Sequence, residues 1–313
     1  MQTYGLIGFP VRHSLSPVMH NAAFKACGID ASYRLFELDP KDLEDFLVKG
    51  VAIPDIDGQT FSFRDIAGFN VTIPHKVRTY QILERKFPYY GEVSQMPPYL
   101  YYALLAGAVN TVKVVKAGAK AEYYNTDAAG FLRSLEEDLK FDAKGKEVVL
   151  LGCGGAGRAV IAGLNYAGLG VKKVFVYDVN RRVAAAAEEE LLQVRKHLGR
   201  FGLNIVEFIT EKDLAKKIGS SQLLVDATGA GLKKEDCSPI NKKLLHKDLS
   251  VYDLVYNKET RLLREAKQLG CAACGGLNML LYQAVLSFGI WTGKRDLEVE
   301  EAMRQALNQA VKG

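Results

Sequence analysis

Residues 146 to 160, KEVVLLGCGGAGRAV, constrain this chain more than any other stretch of its 313. KEVVLL closes in an unbroken apolar run, as a strand covered on both faces requires. Gly152-Cys153-Gly154-Gly155-Ala156-Gly157 follows at once and fits GxGxxG. RAVIAGLNYAG then reads as a helix, and KKVFVYD reads as a strand ending in Asp178, 26 positions after Gly152. A strand before the glycines, a helix after them and an acid at the next strand tip make the dinucleotide-binding arrangement. The first glycine makes the tight turn, the second lets backbone approach a pyrophosphate, and the third lets helix and strand pack closely. The helix N-terminus offers unpaired N–H groups and partial positive charge to the phosphates.

The acid and the bases around it pull in opposite directions. Asp178 can accept hydrogen bonds from both ribose hydroxyls, which favours NAD, and a 2′-phosphate there would meet like charge. Arg181 and Arg182 are within reach of the same position and can hold such a phosphate. The expectation leans to NAD, with NADP as the alternative.

The rest of the chain alternates strand and helix in the same way. TYGLIG, SYRLFEL and IAGFNVTIP read as strands, SPVMHNAAFKACG and PKDLEDFLVKG as helices. Ser16 is placed to cap the first helix, Pro17 suits its first position and Gly28 ends it. Residues 86–105, rich in Tyr and Pro, read as a loop with a short helix. AGAVNTVKVV and AEYYNTD read as a hairpin turning at KAGAK, and the helix AAGFLRSLEEDL follows. Beyond the glycine loop come a long helix near 181–198 and the strands NIVEFIT, LLVDATG and LSVYDLVY. Two amphipathic helices, NMLLYQAVLSFGIWTG and VEEAMRQALNQAV, close the chain. This pattern predicts an α/β protein with mostly parallel sheets and, at this length, two domains.

Composition excludes several classes. Hydrophobic content of 48% and charged content of 25% are ordinary for a globular enzyme. The net charge of +5 is spread out; it suits an anionic small molecule and is too weak to argue for nucleic acid. No apolar run reaches the ~20 residues that span a bilayer. The start, MQTYGLIGFPVRHS, lacks the charged lead and apolar core of a signal peptide, so the cytoplasm is the expected compartment. Five widely spaced cysteines do not make a disulfide framework. Cys271 and Cys274 form a CxxC without a second pair or a nearby His, and GCAACGGLN reads as a short buried strand entering a glycine turn. The five histidines form no HxxxH, and no metal site is expected.

One lysine stands out. In GFNVTIPHK, Pro74 stops the strand because it has no N–H to donate, so the chain turns just before Lys76. A lone lysine there is ordinarily a solvated surface cation.

Seven short motifs, in order, change that reading: SLSP (14–17), GFNVTIPHK (68–76), GAVNT (107–111), NTDAAG (125–130), GCGGAGRA (152–159), VYDLVYN (251–257) and GLNMLLYQA (276–284). With them the chain resembles the shikimate/quinate dehydrogenase family from end to end. The resemblance implies that Lys76 and Asp127 flank the carbon that exchanges hydride and manage the proton. Reducing a ketone needs a group to stabilise the developing alkoxide and pass a proton, which a lysine held by a carboxylate can do. Without the motif, Asp127 would read as a helix cap. By the same resemblance Ser14 and Ser16 bind the substrate carboxylate. Thr72, Asn110 and Gln283 bind ring hydroxyls, and Tyr256 matches a substrate-side position. Leu254 and Gly276 match positions beside the nicotinamide, where a close backbone approach suits a glycine. The cofactor set is completed by Gly152, Gly154, Gly155, Ala156, Gly157, Asp178, Asn180, Arg181 and Arg182.

The chain departs from the family in places. VYNKETRLL lacks the usual proline, and Thr260 stands four residues past Tyr256 rather than five. DATG, with Asp226 and Gly229, replaces Asn-Ala-Thr-Ser. The phosphate-binding Asn-Arg-Thr is displaced, with Asp178 where its Asn is expected. The stretches 54–66 and 77–106 are longer than usual.

The implied architecture is an N-terminal α/β substrate domain, residues 1–126 completed by helices in 277–313, and a C-terminal Rossmann dinucleotide-binding domain, residues 127–276. The active site is expected in the cleft between them. The implied reaction is reversible NAD(P)-dependent hydride transfer at C3 of shikimate or quinate, in the shikimate pathway to aromatic amino acids. A small-molecule substrate, no nucleic acid, no membrane and a monomer or homodimer complete the expectation. The alternatives are a paralogue acting on another cyclic polyol acid, such as an aminoshikimate, and a catalytically idle dinucleotide-binding regulator.

Overall fold

The structure, a computed structural model, describes residues 1–92, 95–115, 120–165, 169–198, 205–231 and 237–312. The chain divides into two compact units, Met1–Thr126 with Leu281–Gly313, and Asp127–Leu280.

The first unit begins β1 (Gln2–Gly8), α1 (Ser16–Ala26), β2 (Ala31–Glu37). A short hairpin follows, β3 (Ile53–Pro54) and β4 (Thr60–Phe61), then β5 (Ile66–Val71), α2 (Lys76–Lys86), α3 (Pro98–Ala106), β6 (Thr111–Val115) and β7 (Lys120–Tyr124). The second unit runs α4 (Asp127–Glu137), β8 (Glu147–Leu151), α5 (Gly155–Leu164), β9 (Lys173–Tyr177), α6 (Arg181–Leu198), β10 (Val206–Phe208) and α7 (Glu211–Ser220). It continues with β11 (Leu223–Asp226), β12 (Ser250–Asp253), α8 (Arg261–Gln268) and β13 (Ala273–Gly275). The chain ends in α9 (Leu277–Thr292) and α10 (Leu297–Lys312).

The sheet of the first unit has the order β2-β1-β5-β6-β7. β1, β2 and β5 are parallel, while β6 and β7 run antiparallel as the expected hairpin. Of its KAGAK turn at 116–120, residues 116–119 lie outside the described residues and Lys120 opens β7. Because β6 opposes β5, the start of β6 lies at the C-terminal end of β5, with Asn70 opposite Thr111. Ile66, Phe46 and Phe69 are fully buried in one core cluster. There Phe46, Phe63 and Phe69 meet edge to face at 5.8–6.0 Å, the arrangement aromatic quadrupoles favour. A second aromatic group joins Tyr4 of β1 to Phe24 of α1 at 5.0 Å and to Trp291 of α9 at 5.2 Å. α10 packs along α1.

The sheet of the second unit is parallel throughout, in the order β10-β9-β8-β11-β12-β13. The chain winds outward from β8 in one direction, then returns to β11 and winds in the other. Such a switch point leaves a crevice beyond the strands' C-terminal ends, where ligands bind in open α/β sheets. Val148 to Leu150 and Leu223 to Val225 are fully buried, as central strands between helix layers must be.

Some local expectations give way. PKDLEDFLVKG is helical from Pro40 to Lys49 as expected, but opens as a 3-10 turn at Pro40–Asp42 and closes as a π-helical turn at Asp45–Lys49. Asp39 accepts from the Lys41 N–H at the start, and Gly50, left-handed at φ 72°, closes the end. The segment after Lys76 is helical: Thr79, Ile82 and Leu83 bury one face of α2, and Glu44 pairs with Arg78 and Arg85 on the other. α9 is not amphipathic, since every one of its residues is buried or half-buried. The tail of the expected helix RAVIAGLNYAG, residues 166–168, lies outside the described residues.

Candidate active site

In the first unit, five segments bring polar side chains to one end of the sheet. The loops after β1 and β5 are tied by the Phe9 N–H donating to Ile73 O at 2.9 Å, and Thr72 N–H donates to Ile7 O at 2.9 Å. Ser14 sits on the first of these loops, Ser16 opens α1 at its end, and Thr72 sits on the second. The Thr72–His75 turn, which holds a cis Ile73–Pro74 bond, leads straight into α2. Lys76 is therefore the first residue of a helix, half-buried, at the end where partial positive charge makes a cation locally unfavourable. Its carbonyl accepts from Val109 N–H at 3.0 Å, which fastens it beside Asn110. Buried His75 faces Leu38 O through Nε2 at 2.7 Å, and burial lowers its pKa. Asn110, 2% exposed, reaches Gln283 of α9, whose Oε1 accepts from Asn110 Nδ2 at 3.3 Å.

The capping expectation at α1 needs correction. Ser16 is inside the first turn, and Ser14 Oγ accepts the Ser16 N–H at 3.2 Å. The helix starts one residue after Leu15, which is already in the right-handed region, so the earlier serine is the one able to fold back. Residues the sequence reading passed over complete this end: Asn70, Thr111, Thr126 and Ser287 surround Asn110 and one another with hydrogen bonds. Three of the four lie inside quoted motifs, which was the available signal.

In the second unit, the glycine loop joins β8 to α5. Gly152 has φ 86°, a conformation strained for any side chain. A Cβ on Gly157 would come 2.1 Å from Gly152 O, so helix and turn can approach this closely only through a glycine. A Cβ on exposed Gly154 would meet nothing within 4 Å. The first-turn N–H groups of α5, from Gly155 and Ala156 to Gly157, have no intrahelical acceptor. Open space above Gly154 and these donors fit a dinucleotide pyrophosphate. Arg158, 4% exposed, braces the loop from within: its Nε donates to Cys153 O at 3.3 Å and its guanidinium pairs with Glu190.

Asp178 does not stand simply as a ribose acceptor. Its Oδ2 accepts the Cys153 N–H at 3.0 Å and its Oδ1 the Asn180 N–H at 2.8 Å. The carboxylate thus ties the glycine loop to the following turn. Burial, with the charge of Asp178 second, pushes the Cys153 thiol pKa up to about 12. Asn180 caps α6, its Oδ1 accepting the Arg182 N–H at 3.1 Å. Arg181 and Arg182, both exposed, form the first turn of that helix, which carries no acid there. Two cations at the positive end of a helix are locally unfavourable and suit an anion.

The remaining candidates lie at the ends of β12 and β13. A Cβ on Gly276 would fall 2.3 Å from Leu254 O. The glycine is required by the backbone of Leu254, its fellow candidate. Tyr256 is half-buried, and burial raises its phenol pKa. Thr260 N-caps α8 and donates to Asp253 Oδ2 at 2.6 Å, so the shifted threonine has a structural task. Asp226 accepts the Thr228 N–H at 2.9 Å through Oδ1. Its own burial, then the charge of Asp253, push its pKa up to about 7.

Comparison with known proteins agrees over almost the whole chain. The profile described as the shikimate dehydrogenase substrate binding domain matches residues 6–112, and that of the shikimate 5'-dehydrogenase C-terminal domain matches residues 276–307. The chain is 38% identical over 312 residues to the shikimate dehydrogenase (NADP(+)) of Methanopyrus kandleri, covering 98% of this chain and 93% of that protein. The crystal structure of shikimate dehydrogenase from Aquifex aeolicus superposes with TM-score 0.76 at 34% identity, covering 98% and 97% of the two chains. The quinate dehydrogenase of Corynebacterium glutamicum in complex with NAD gives TM-score 0.74 at 29% identity, covering 98% and 99%.

Proposed function

Because the chain belongs to the shikimate dehydrogenase family, we propose that it interconverts shikimate and 3-dehydroshikimate with NADP as its cofactor. The observation that carries this reading is the meeting of Ser14, Ser16, Thr72, Lys76, Asn110 and Gln283 segments at one sheet end of the first unit. Two hydroxyls, two carboxamides, a threonine and an ammonium match a ring bearing one carboxylate and several hydroxyls. The first unit is then the substrate domain and the second, with its glycine loop, the cofactor domain. A nicotinamide dinucleotide bound on that loop would supply the hydride acceptor. The Lys76 ammonium stabilises the developing alkoxide, and the Asp127 carboxylate takes part in moving the proton.

The lean toward NAD is revised. It rested on Asp178 as a ribose acceptor, and each Asp178 oxygen already accepts a loop N–H, which leaves one lone pair apiece for a ribose. Arg181 and Arg182 at the start of α6 support a 2′-phosphate ligand instead. The relative from M. kandleri is named for NADP(+). The test is a two-by-two assay of shikimate and quinate with NADP⁺ and NAD⁺, following the reduced nicotinamide. Fastest turnover of shikimate with NADP⁺ supports the proposal. Preference for quinate or for NAD⁺ overturns the corresponding half of it, and silence in all four overturns both.

A further inference from the structure

We infer that Thr111 is a positioning residue, whose hydroxyl sets the orientation of the Asn110 and Gln283 carboxamides through a closed buried cluster. The inference rests on the proposed reading of those two residues as substrate ligands. Thr111 is fully buried, and its Oγ1 stands at the centre of four contacts. It donates to Asn110 Oδ1 at 3.0 Å and accepts from Asn70 Nδ2 at 3.1 Å. It also lies 2.8 Å from Ser287 Oγ and 3.2 Å from Thr126 Oγ1.

The cluster fixes which way the Asn110 amide points. Its Oδ1 receives the Thr126 N–H at 2.7 Å as well as the Thr111 hydroxyl. The amide nitrogen is thereby turned to Thr126 Oγ1 at 2.8 Å and to Gln283 Oε1 at 3.3 Å, the long contact whose hydrogen a substrate hydroxyl would take over. Reversing the amide would face its NH₂ toward a backbone N–H, donor against donor. Ser287, one helical turn beyond Gln283, accepts from Asn70 Nδ2 at 3.0 Å and has its single proton to divide between Gln283 O at 2.9 Å and Thr111 Oγ1 at 2.8 Å, so α9 is held to the same hub. Asn70 is fixed in turn by Tyr33, whose hydroxyl donates to Asn70 Oδ1 at 2.8 Å and whose ring stacks on buried His20 at 4.3 Å.

An apolar core would fill this space without the cost of burying so many polar groups. A fully connected network rigidifies what it holds, and here it holds two side chains at the polar end of the sheet.

The experiment compares Thr111→Val, which keeps the shape and removes the hydroxyl, with Thr111→Ser, which keeps the hydroxyl. The expected result for Thr111→Val is a KM for shikimate raised about tenfold, roughly the worth of one neutral hydrogen bond. The KM for NADP⁺ stays unchanged, and Thr111→Ser stays within about threefold of the wild-type KM. Combining Thr111→Val with Asn110→Ala adds little to the loss from Asn110→Ala alone, because both act through one group. The inference is overturned if Thr111→Val keeps the wild-type KM, if Thr111→Ser is equally impaired, or if the double variant shows additive losses. If the wild type neither binds nor turns over shikimate, the proposed function fails and takes the inference with it.

Discussion

Asp226 and Asp253 stand in register at the C-terminal ends of β11 and β12, 1% and 0% exposed. Burial and the neighbouring charge hold the Asp226 pKa at about 7. An unfolded aspartate titrates near ~3.9. Between those values the folded state keeps a proton that the unfolded state has lost. Stability from this group is therefore full below about 4, declines as pH rises and is gone above about 7. Asp226→Asn, whose Oδ1 can still accept the Thr228 N–H, removes the titration. The expected result is a Tm gain over wild type that grows from pH 4 to pH 7 and is flat above. A pH-independent difference would contradict the assignment.

Gly154 and Gly157 separate ligand approach from packing within one loop. Gly157→Ala places a Cβ against Gly152 O, and a loss of at least ~1–3 kcal/mol of stability is expected from overpacking. Gly154→Ala enters open space and keeps the wild-type Tm, yet weakens NADP⁺ binding measured by titration calorimetry. Unchanged cofactor affinity in Gly154→Ala would remove the pyrophosphate from this loop.

Arg181 and Arg182 are expected to discriminate between the two dinucleotides. Replacing both by Ala removes charge-assisted hydrogen bonds worth ~1.5–3 kcal/mol each, so the KM for NADP⁺ rises by at least ~10-fold. The KM for NAD⁺, which has no 2′-phosphate, holds. A proportional rise for both cofactors would show that the arginines act on something the two share.

Patterns with a local period are legible in the sequence. The glycine loop could be read because its requirements sit in six consecutive residues, and β8 and the β6–β7 hairpin because their apolar patterns are short. What was not legible involves choices between partners. Asp178 is equally able to accept from a ribose or from a loop N–H, and only the fold brings Cys153 N–H to it. Ser14 and Ser16 are both cap residues by type, and the starting angle of α1 decides between them. Asn70 and Ser287 are 217 positions apart, so no window of sequence contains their hydrogen bond. α2 was missed because its buried face, Thr79, Ile82 and Leu83, is threaded among Arg, Glu and Lys.

Lys76 carries the central claim, and Lys76→Ala tests it most directly. The residue opens α2, where a cation contributes nothing favourable to the helix dipole, and the Tm of the variant is measured beside the wild type to show that the fold is kept. The measurement is kcat for shikimate with NADP⁺, alongside NADP⁺ affinity. The account predicts that kcat falls by at least ~100-fold, the low end for an acid–base group, while NADP⁺ affinity is retained. A Lys76→Ala enzyme that turns shikimate over at the wild-type rate would contradict it.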